Sequence, residues 1–493
     1  MGGEVAVANF LDEIAWVPCM SASGKVMLTL HDFLMQADRV HDFAVAAPTK
    51  KASLWLSLCS WTASAVRRKG LDPRTYSFED VAAYLKVHRG WFDADRFCQV
   101  PAYAQLSAKK AVLLSVLETE LESGNNPNFF TKMDADRPKN YTAPEVALTL
   151  LQGHWYGLAG LGGGVGKENL SFTDCPASRC LVLVRKTENL EKMLRYNVDL
   201  LLRDAAVVAD FVPAWERADG GADFLEEDKK LRPDVPLYLS FGLHRAFQVV
   251  WEGARARFLR RAKGAVVPEL ALIMCRMIAA QDREEVSVAG SRVLKVRADP
   301  KRAVWRDLHS ILECLKMSQA VFDKPKRALV IEVFGMFTPS QAKIEGETGS
   351  VFHIPVEVVY DKKMREGLKE GLDLFDKGGR RLYATLRSGC EKAISQAKQK
   401  GDRDHVNKLL ARSAAFDTYW DDCAVHFFGQ LLPGLVTDRP AALGAAKQAS
   451  NHFIRKAQNV FLSEFPKGSS WYRLAGYLQS RFMPTTKKQE VKL

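Results

Sequence analysis

The segment from Gly160 to Lys167 reads GLGGGVGK and has the composition of a phosphate-binding loop. A loop of that kind needs a glycine four residues ahead of its Gly-Lys pair, and a serine or threonine after the pair. Leu161 and Glu168 occupy those two positions. Four glycines among residues 160–164 still leave the backbone bare, and a bare backbone can lie directly against another molecule. The segment therefore predicts a loop that approaches a groove or a partner chain, not a nucleotide-hydrolysing site.

Metal chemistry has few candidates in this sequence. The dipeptides His31-Asp32 and His41-Asp42 lie ten residues apart, whereas a metal-dependent phosphohydrolase needs further ligands spaced along helices. The nine cysteines include no C-x-x-C pair, and no HExxH or G-x-S-x-G motif occurs. We therefore expect free thiols, no metal, no cofactor and no catalytic residue. The alternative is a metal-dependent nucleic-acid hydrolase that uses the His-Asp pairs or Asp134 and Asp136.

A polar loop over residues 125–141 contains Phe129, Phe130 and Lys132. Aromatic rings beside a lysine can stack on bases while the amine meets a phosphate. The alternative is that the two phenylalanines only attach a long loop to the core.

A second polar segment, Thr338-Pro339-Ser340-Gln341, follows the apolar run 328–334. A strand followed by a proline-containing turn projects a short polar tip, and the amide of Gln341 can read base edges or wedge between them. The alternative is an ordinary hairpin turn.

The elements that must position these segments are of mixed type. Apolar periodicity predicts helices over 30–37, 52–68, 78–88, 107–122, 143–157 and 301–317, and β-type runs cover 179–184, 207–212, 286–296 and 328–334. The alternation is irregular and the connections are long. The sequence therefore predicts a large α+β domain over 1–360 rather than a doubly wound sheet.

The last third of the chain has a clear helical pattern. Apolar residues recur at helical spacing in four segments, at 364–397, 403–431, 440–465 and 469–483. Short connections predict an antiparallel four-helix bundle over 361–484, followed by a disordered tail at 485–493. Gly378-Gly379 is the expected place for a kink or an interruption of the first helix.

Positive charge is concentrated in the same region. Residues 361–493 contain 24 Lys and Arg against 14 Asp and Glu, a net of +10 out of +12 for the whole chain. Such a segment predicts a polyanionic partner, with solubility alone as the alternative. No apolar run reaches the roughly 18 residues of a membrane span, and the N-terminus lacks a secretory pattern. We expect a cytoplasmic protein without a membrane partner.

The predicted loops, in this order and followed by a basic helical bundle, resemble the CasA family, the large subunit of type I-E CRISPR Cascade complexes. Three segments of the sequence are also similar to that family. Residues 9–18 (NFLDEIAWVP) are similar to the family's opening N-L-L-D-E-x-W-I-P. Residues 90–101 (GWFDADRFCQVP) look like its RFD…PF-x-Q-V-P segment, and residues 299–306 (DPKRAVWR) resemble another recurring stretch. The similarity is diffuse but runs nearly from end to end.

The resemblance implies a non-enzymatic, RNA-guided, antiviral DNA-binding subunit. Such subunits recognise the protospacer-adjacent motif (PAM), a few base pairs beside the target, and start unwinding and R-loop formation. The family's glycine loop approaches the minor groove, and the matching residues here are Gly160, Gly162, Gly163 and Gly164. A glutamine-tipped wedge opens the duplex, which matches Ser340 and Gln341.

Other roles also follow from the resemblance. The family's basic finger in the minor groove corresponds to Arg276 or Arg283. The aromatic loop with Phe129, Phe130 and Lys132 resembles the segment that contacts the 5′ handle of the guide RNA. No structural zinc is carried over, since clustered cysteines are absent from the sequence.

The bundle would support the displaced non-target strand through Lys362, Arg365 and Lys369, which share one predicted helix face. The implied partners are double-stranded target DNA, the guide RNA, the backbone, handle-binding and small subunits, and the helicase-nuclease. A scaffold whose glycine loop only packs against a partner protein is a further alternative.

Overall fold

The computed structural model describes residues 8–100, 111–119, 139–164, 167–203, 208, 210–225, 230–282, 293–315, 327–338, 344–394, 400–465 and 467–480. The chain divides into two compact units. The first comprises Met1–Pro325 with Leu329–His353, and the second comprises Lys326–Ala328 with Ile354–Leu493.

The first unit mixes helices and strands. Its described helices are α1 (Leu30–Met35), α2 (Pro48–Arg68), α3 (Phe78–Val87), α4 (Ala143–Tyr156), α5 (Leu190–Leu202), α6 (Glu269–Met274) and α7 (Leu308–Leu315). Its described strands are β1 (Val17–Ser21), β2 (Gly24–Leu28), β3 (Val40–Phe43), β4 (Val112–Leu113), β5 (Tyr141–Thr142), β6 (Gly160–Gly164), β7 (Lys167–Phe172), β8 (Val182–Lys186), β9 (Arg245–Glu252), β10 (Arg255–Lys263), β11 (Ala280–Asp282), β12 (Val293–Lys295), β13 (Ala328–Phe337) and β14 (Gly346–Pro355).

Helix α2 is buried on every side from Lys51 to Val66. A helix of this kind must satisfy its polar side chains internally. The hydroxyl of Ser53 donates to the Thr49 carbonyl at 2.8 Å, and that of Ser57 donates to the Ser53 carbonyl at 2.8 Å. Helices α4 and α5 pack against it. Helix α2 is therefore the central element of the first unit.

Two of the segments that carry the family resemblance, 9–18 and 90–101, form part of this core. Asn9 is fully buried, and its Nδ2 donates to Asp93 Oδ1 at 2.7 Å and to the Arg89 carbonyl at 3.1 Å. Gln99 Nε2 donates to the Ala94 carbonyl at 2.8 Å, while Gln99 Oε1 accepts from the backbone of Val249 at 2.6 Å. These residues connect the N-terminal segment and the 89–100 turn to strand β9, so their role is structural.

Strand β10 is the centre of the largest described sheet. It pairs along its length with β9. Its other edge meets three strands in turn: β5 at Arg255–Ala256, β4 at Phe258–Leu259, and the glycine strand β6 at Ala262. Strand β6 continues the sheet to β7. A separate three-stranded sheet has the order β14-β13-β8.

The second unit is helical in its described residues apart from the ends of β13 and β14. Its helices are α8 (Val356–Tyr360), α9 (Lys362–Ala393), α10 (Lys400–Arg412), α11 (Ala415–His426), α12 (Leu432–Thr437), α13 (Arg439–Glu464) and α14 (Ser469–Ser480), with a π-helical turn at Phe427–Leu431. Helix α9 packs on α13 and α14, and α11 packs on α13.

Glycines in α9 permit close helix packing. A Cβ on Gly378 would overlap Tyr419 Oη and Ser450 Oγ, on α11 and α13. Those two hydroxyls lie 3.0 Å apart, and Tyr419 Oη donates to the Phe375 carbonyl at 2.7 Å. Helix α9 continues through Gly378-Gly379, so the helix is not interrupted there, and the kink stays a prediction.

Several predicted elements are confirmed and others are wrong. The mixed helix-and-strand fold, α4, and the strand after residue 328 are confirmed. The helix over 107–122 is wrong where it is described, because Val112–Leu113 pairs with β10 and Leu114–Leu117 is a 3₁₀ turn. Sheet pairing overrides local helical spacing there. The segment 403–431 contains two helices, α10 and α11, and the π turn. The four-helix bundle, the domain limits at 360 and 484, and the tail, which lies outside the described residues, stay predictions.

All nine cysteines are free and buried, as the sequence predicts. None of the helices in the described ranges is long and apolar enough to cross a membrane.

Candidate nucleic-acid interface

The predicted glycine loop is a strand, β6, which forms a hairpin with β7. Gly160 pairs with Phe172 and Gly162 with Leu170, and the register shifts between Gly162 and Gly164. Gly160 is exposed, its φ lies outside the left-handed region, and a Cβ built on it meets no other atom within 4 Å in the described structure. Nothing described within the chain therefore requires glycine at this position.

Arg245 fixes the base of this hairpin. Its guanidinium donates to the carbonyls of Gly157 at 3.3 Å and Leu158 at 3.2 Å, which precede β6, and to the carbonyl of Thr173, which follows β7. Asp174 Oδ1 also accepts from the backbone of Ala159 at 2.7 Å. Both ends of the hairpin are thus bound to the same buried arginine.

Two buried histidines lie close to Arg245, whose Nη1 donates to the His244 carbonyl at 3.0 Å. His154 Nε2 lies 3.0 Å from the Cys98 carbonyl, and His244 Nδ1 lies 2.9 Å from the His154 carbonyl. Burial, with the nearby charge of Arg245, lowers the pKa of His154 to about 4. Burial, followed by the electrostatic effects of His154 and Arg245, lowers the pKa of His244 to about 3. Both rings are therefore neutral at pH 7.

These pKa values predict acid sensitivity. Below pH 6.5 the unfolded chain protonates both imidazoles while the folded chain does not, so stability falls as the pH drops from 6.5 towards 4. Each histidine contributes on the order of 1.4 kcal/mol per pH unit in that window. Urea unfolding of the first unit, followed by tryptophan fluorescence between pH 7.5 and 4.5, measures the slope. His244→Gln should reduce the change of unfolding free energy with pH by the contribution of one histidine. Equal urea midpoints for the wild type at pH 7.5 and 5 would exclude this account.

The predicted wedge follows strand β13. Strands β13 and β14 belong to one sheet, and the backbone of Glu345 donates to the Phe337 carbonyl at 2.8 Å. Ser340 and Gln341 lie in the connection between these strands, outside the described residues. The structure therefore describes the two strands on either side of these residues in the sequence.

Glu347 of β14 binds the first turn of α2. Its carboxylate accepts from the Thr49 backbone at 3.1 Å and from the Thr49 hydroxyl at 2.8 Å. Gln152 Nε2, on α4, donates to the same hydroxyl at 2.7 Å. A carboxylate is favourable at a helix N-terminus. This helix end thus connects the wedge strands with the helix that precedes the glycine strand.

Lys51, two residues further along α2, lies in a compact ion cluster. Its Nζ donates to Asp42 Oδ2 at 2.9 Å and to Glu332 Oε1 of β13 at 2.8 Å. Lys186 of β8 also donates to both carboxylates, at 2.6 and 3.1 Å. Burial acts to raise the pKa of Asp42, but the two lysines outweigh it and hold that pKa below its usual value.

The predicted RNA-handle loop has its two ends at the same place. The Glu118 carboxylate accepts from Lys50 Nζ at 2.7 Å and from Tyr141 Oη at 2.9 Å. Glu118 precedes the predicted loop, and Tyr141 is its last residue. Phe129, Phe130 and Lys132 lie outside the described residues. Residues 49–51 therefore contact elements that lead to all three predicted loops.

The His-Asp dipeptides do not form a ligand set. His31 and Asp32 contact each other at 3.7 Å, and His41 Nδ1 lies 3.2 Å from the Glu188 carbonyl. The Asp42 carboxylate binds two lysines instead. Within the described ranges no cluster of three His, Cys, Asp or Glu residues could hold a metal. Asp134 and Asp136 lie outside those ranges.

The predicted basic residues differ in exposure. Arg276 is 9% exposed, and burial lowers its pKa. Arg283 lies outside the described residues. On α9, Lys362 and Lys369 are exposed, whereas Arg365 is half-buried and donates to the Val359 carbonyl at 2.9 Å.

The family model described as CRISPR-associated protein Cse1 (CRISPR_cse1) matches residues 9–460. This chain belongs to the Cse1 family. The CasA resemblance is thereby confirmed, since one similar solved structure carries both names. That structure, Thermus thermophilus CasA (Cse1), is 19% identical with a TM-score of 0.72, and the match covers 96% of this chain and 97% of that chain.

Two further solved structures share the Cse1 fold. Thermobifida fusca Cse1 is 16% identical with a TM-score of 0.73, covering 96% of this chain and 97% of that chain. A chain of a structure described as a CRISPR RNA-guided surveillance complex is 17% identical with a TM-score of 0.66, and the match covers 97% of this chain and 100% of that chain. No curated protein sequence matches the chain.

Sequence reasoning missed the arginines of β10 in this Cse1 chain. Residues 255–263 read RARFLRRAK, and they lie beside the glycine strand through the pairing of Ala262 with Gly163. The sequence did contain a signal for a basic segment: five cations occur in nine residues between Gly253 and Gly264. The apolar residues there do not alternate, so no strand was predicted.

Proposed function

We propose that this chain is the non-catalytic large subunit of a type I-E Cascade complex and reads the PAM in double-stranded DNA. The observation that carries the proposal is the exposed Gly160 at the start of the glycine strand, where a Cβ would meet no atom within 4 Å in the described structure. Membership of the Cse1 family supports it, together with the likeness to a chain of an RNA-guided surveillance complex.

The glycine strand suits the DNA minor groove. That groove is about 6 Å wide, so a main chain enters it most easily where no Cβ projects. Gly160, Gly162, Gly163 and Gly164 are the residues we propose to approach the base edges. A·T and T·A present the same acceptors there, so a reader of this kind would accept several related motifs.

The wedge would act next. Ser340 and Gln341, at the tip between β13 and β14, would enter the duplex beside the motif and start unwinding. Pairing with the guide RNA would then extend the R-loop and read the target sequence. We propose that the chain also helps to recruit the helicase-nuclease that degrades the target.

The remaining predicted sites complete the proposed assembly. Phe129, Phe130 and Lys132 would contact the 5′ handle of the guide RNA and the backbone and handle-binding subunits. The helices over 361–484 would form the four-helix bundle. Its Lys362, Arg365 and Lys369 would support the displaced strand near the small subunits.

A basic finger would enter the same groove as the glycine strand. Arg276 and Arg283 are the candidates. Because Arg276 is 9% exposed, it would have to change its rotamer on binding DNA.

A pre-opened duplex tests the wedge directly. In a complex reconstituted with this chain, Gln341→Ala should slow R-loop formation on an intact matched duplex by about tenfold, equivalent to about 1.4 kcal/mol. In a duplex with a short mismatched bubble beside the motif the bases are already unstacked, so the wedge does not have to supply the few kcal/mol that unstacking requires. On that substrate the variant and the wild type should form R-loops at equal rates.

Gln448→Ala, at an exposed position of α13, provides the control. It should match the wild type on both substrates in a fluorescent-base assay. If Gln341→Ala matches the wild type on the intact duplex, or is equally slow on both substrates, Gln341 is not a wedge.

A further inference from the structure

We infer that the arginines of β10 form a sequence-independent contact surface for the phosphate backbone of the DNA duplex. The residues concerned are Arg255, Arg257 and Arg260. The inference rests on the proposed function for the identity of the DNA, but its observations concern a different strand from the glycine strand.

These arginines lack carboxylate partners among the described residues. Arg257 donates from Nε and Nη2 to the amide oxygen of Asn140, at 2.9 and 2.8 Å. Arg260 Nη1 donates to the amide oxygen of Gln248 at 3.0 Å. Arg255 is exposed and lies opposite Glu252 in the register, without an ion pair in the described structure. Neutral amides orient two of the guanidinium groups but do not neutralise their charge.

Local structure keeps these side chains accessible. Ala256, Leu259 and Ala262 are buried, whereas Arg257 and Arg260 between them are partly exposed. The register with β9 shifts between Ala256 and Phe258, so Arg257 lies at a bulge. A bulge changes the direction of a side chain and increases the local twist. The three arginines of the proposed surface are therefore all at least partly exposed.

The position of these arginines beside the glycine strand favours DNA as their ligand. Ala262 pairs with Gly163 of the glycine strand, and Arg260 lies two residues before it. At about 3.3 Å per residue, the Cα atoms of Arg255 and Arg260 are roughly 17 Å apart. Phosphates of one strand repeat every 3.4 Å along the axis of B-DNA. The row is therefore long enough for three phosphate contacts beside a glycine strand lying in the groove.

Guanidinium groups are well suited to this task, because each presents five donors and stays charged. Contacts to phosphate position a protein on the duplex without reading its sequence. The β10 arginines would hold the duplex while the glycine strand samples the base edges.

The test measures the salt dependence of duplex binding by the reconstituted complex. The variant is Arg255→Gln/Arg257→Gln/Arg260→Gln. The slope of log affinity against log salt is negative, and the loss of three phosphate contacts should make it shallower by about 2.7. The ratio of the wild-type affinity to the affinity of this glutamine variant should therefore fall by about 40-fold as the salt rises from 50 to 200 mM. This ratio should be equal for every flanking sequence.

Two controls keep the result specific. Lys25→Gln/Arg39→Gln/Lys86→Gln removes three exposed charges elsewhere in the first unit and should leave the slope unchanged. Arg255→Lys/Arg257→Lys/Arg260→Lys keeps the charge and should restore most of the slope. Melting curves and co-elution with the other subunits verify folding and assembly of each variant.

The outcomes separate this inference from the proposed function. An unchanged slope in the glutamine variant, or an equal loss in the Lys25 control variant, overturns the inference. So does a defect in joining the guide-RNA-containing subunits, since the surface would then bind RNA. Wild-type affinity that ignores flanking bases overturns PAM reading instead, whatever the arginine variants do.

Discussion

Gly160→Asp is expected to weaken binding of a matched duplex by about 10- to 100-fold, while the melting temperature of the chain stays unchanged. The Cβ site at Gly160 is open within the described structure, so the substitution creates no described intrachain overlap. In a complex with DNA, the same side chain would bring a negative charge against the base edges. One lost groove contact costs about 1–3 kcal/mol, and each 1.4 kcal/mol is a factor of ten.

Gly444→Asp is the matched control for this substitution. Gly444 is an exposed glycine of α13 whose Cβ would also meet no atom within 4 Å. Gly444→Asp should bind the duplex like the wild type in a fluorescence anisotropy titration. If Gly160→Asp binds no worse than Gly444→Asp, the glycine strand does not approach DNA.

Lys51→Met is expected to destabilise the first unit by about 3–5 kcal/mol, because removing one member of a buried ion cluster leaves its partners uncompensated. The Lys51 side chain is 10% exposed and separates the carboxylates of Asp42 and Glu332. Its loss leaves those carboxylates with Lys186 alone in the described cluster. Because Glu332 belongs to β13, the strands that support the wedge should become more mobile.

Lys69→Met, at the other end of α2, provides the comparison. Its ion pair with Asp80 is 3.2 Å long, and both side chains are more than 30% exposed. An exposed pair of this kind contributes about 0–1 kcal/mol. Urea unfolding of both variants measures the difference. Equal losses for Lys51→Met and Lys69→Met would mean that the cluster contributes no more than a surface pair.

Local patterns predicted the elements that have strong local signals. Helix α4 has a capping box at Thr142 and Glu145 and a continuous apolar face. Strand β13 has an apolar run that ends shortly before Pro339 in the sequence. The glycine segment was assigned to a loop because four glycines provide no alternating side chains, although its backbone pairs with β7 and β10.

Long-range contacts could not be predicted from local patterns. Glu347 and Thr49 are almost 300 residues apart in sequence, yet they bind each other at the start of α2. Arg245 reaches the hairpin base from 72 residues beyond Thr173. Such contacts depend on the completed fold, so no spacing rule identifies them.

The family resemblance came from residues with structural roles. Asn9, Asp93 and Gln99 bind one another's segments within the core, and none of them lies in a proposed DNA-binding strand. These residues indicate the fold, whereas the proposed site depends on a glycine strand and tips with little side-chain pattern. The structural residues Asn9, Asp93 and Gln99 therefore indicate the fold but do not locate the proposed site.

The most direct test of PAM reading is the affinity of the reconstituted complex for duplexes that share one guide-matched target and differ only in the flanking bases. We expect the wild-type complex to discriminate among flanks by at least about tenfold, since a base-edge contact is worth about 1–3 kcal/mol. The double variant Gly163→Asp/Gln341→Ala should bind all flanks equally weakly. Equal wild-type affinity for every flank, or unchanged discrimination in the double variant, would contradict the account.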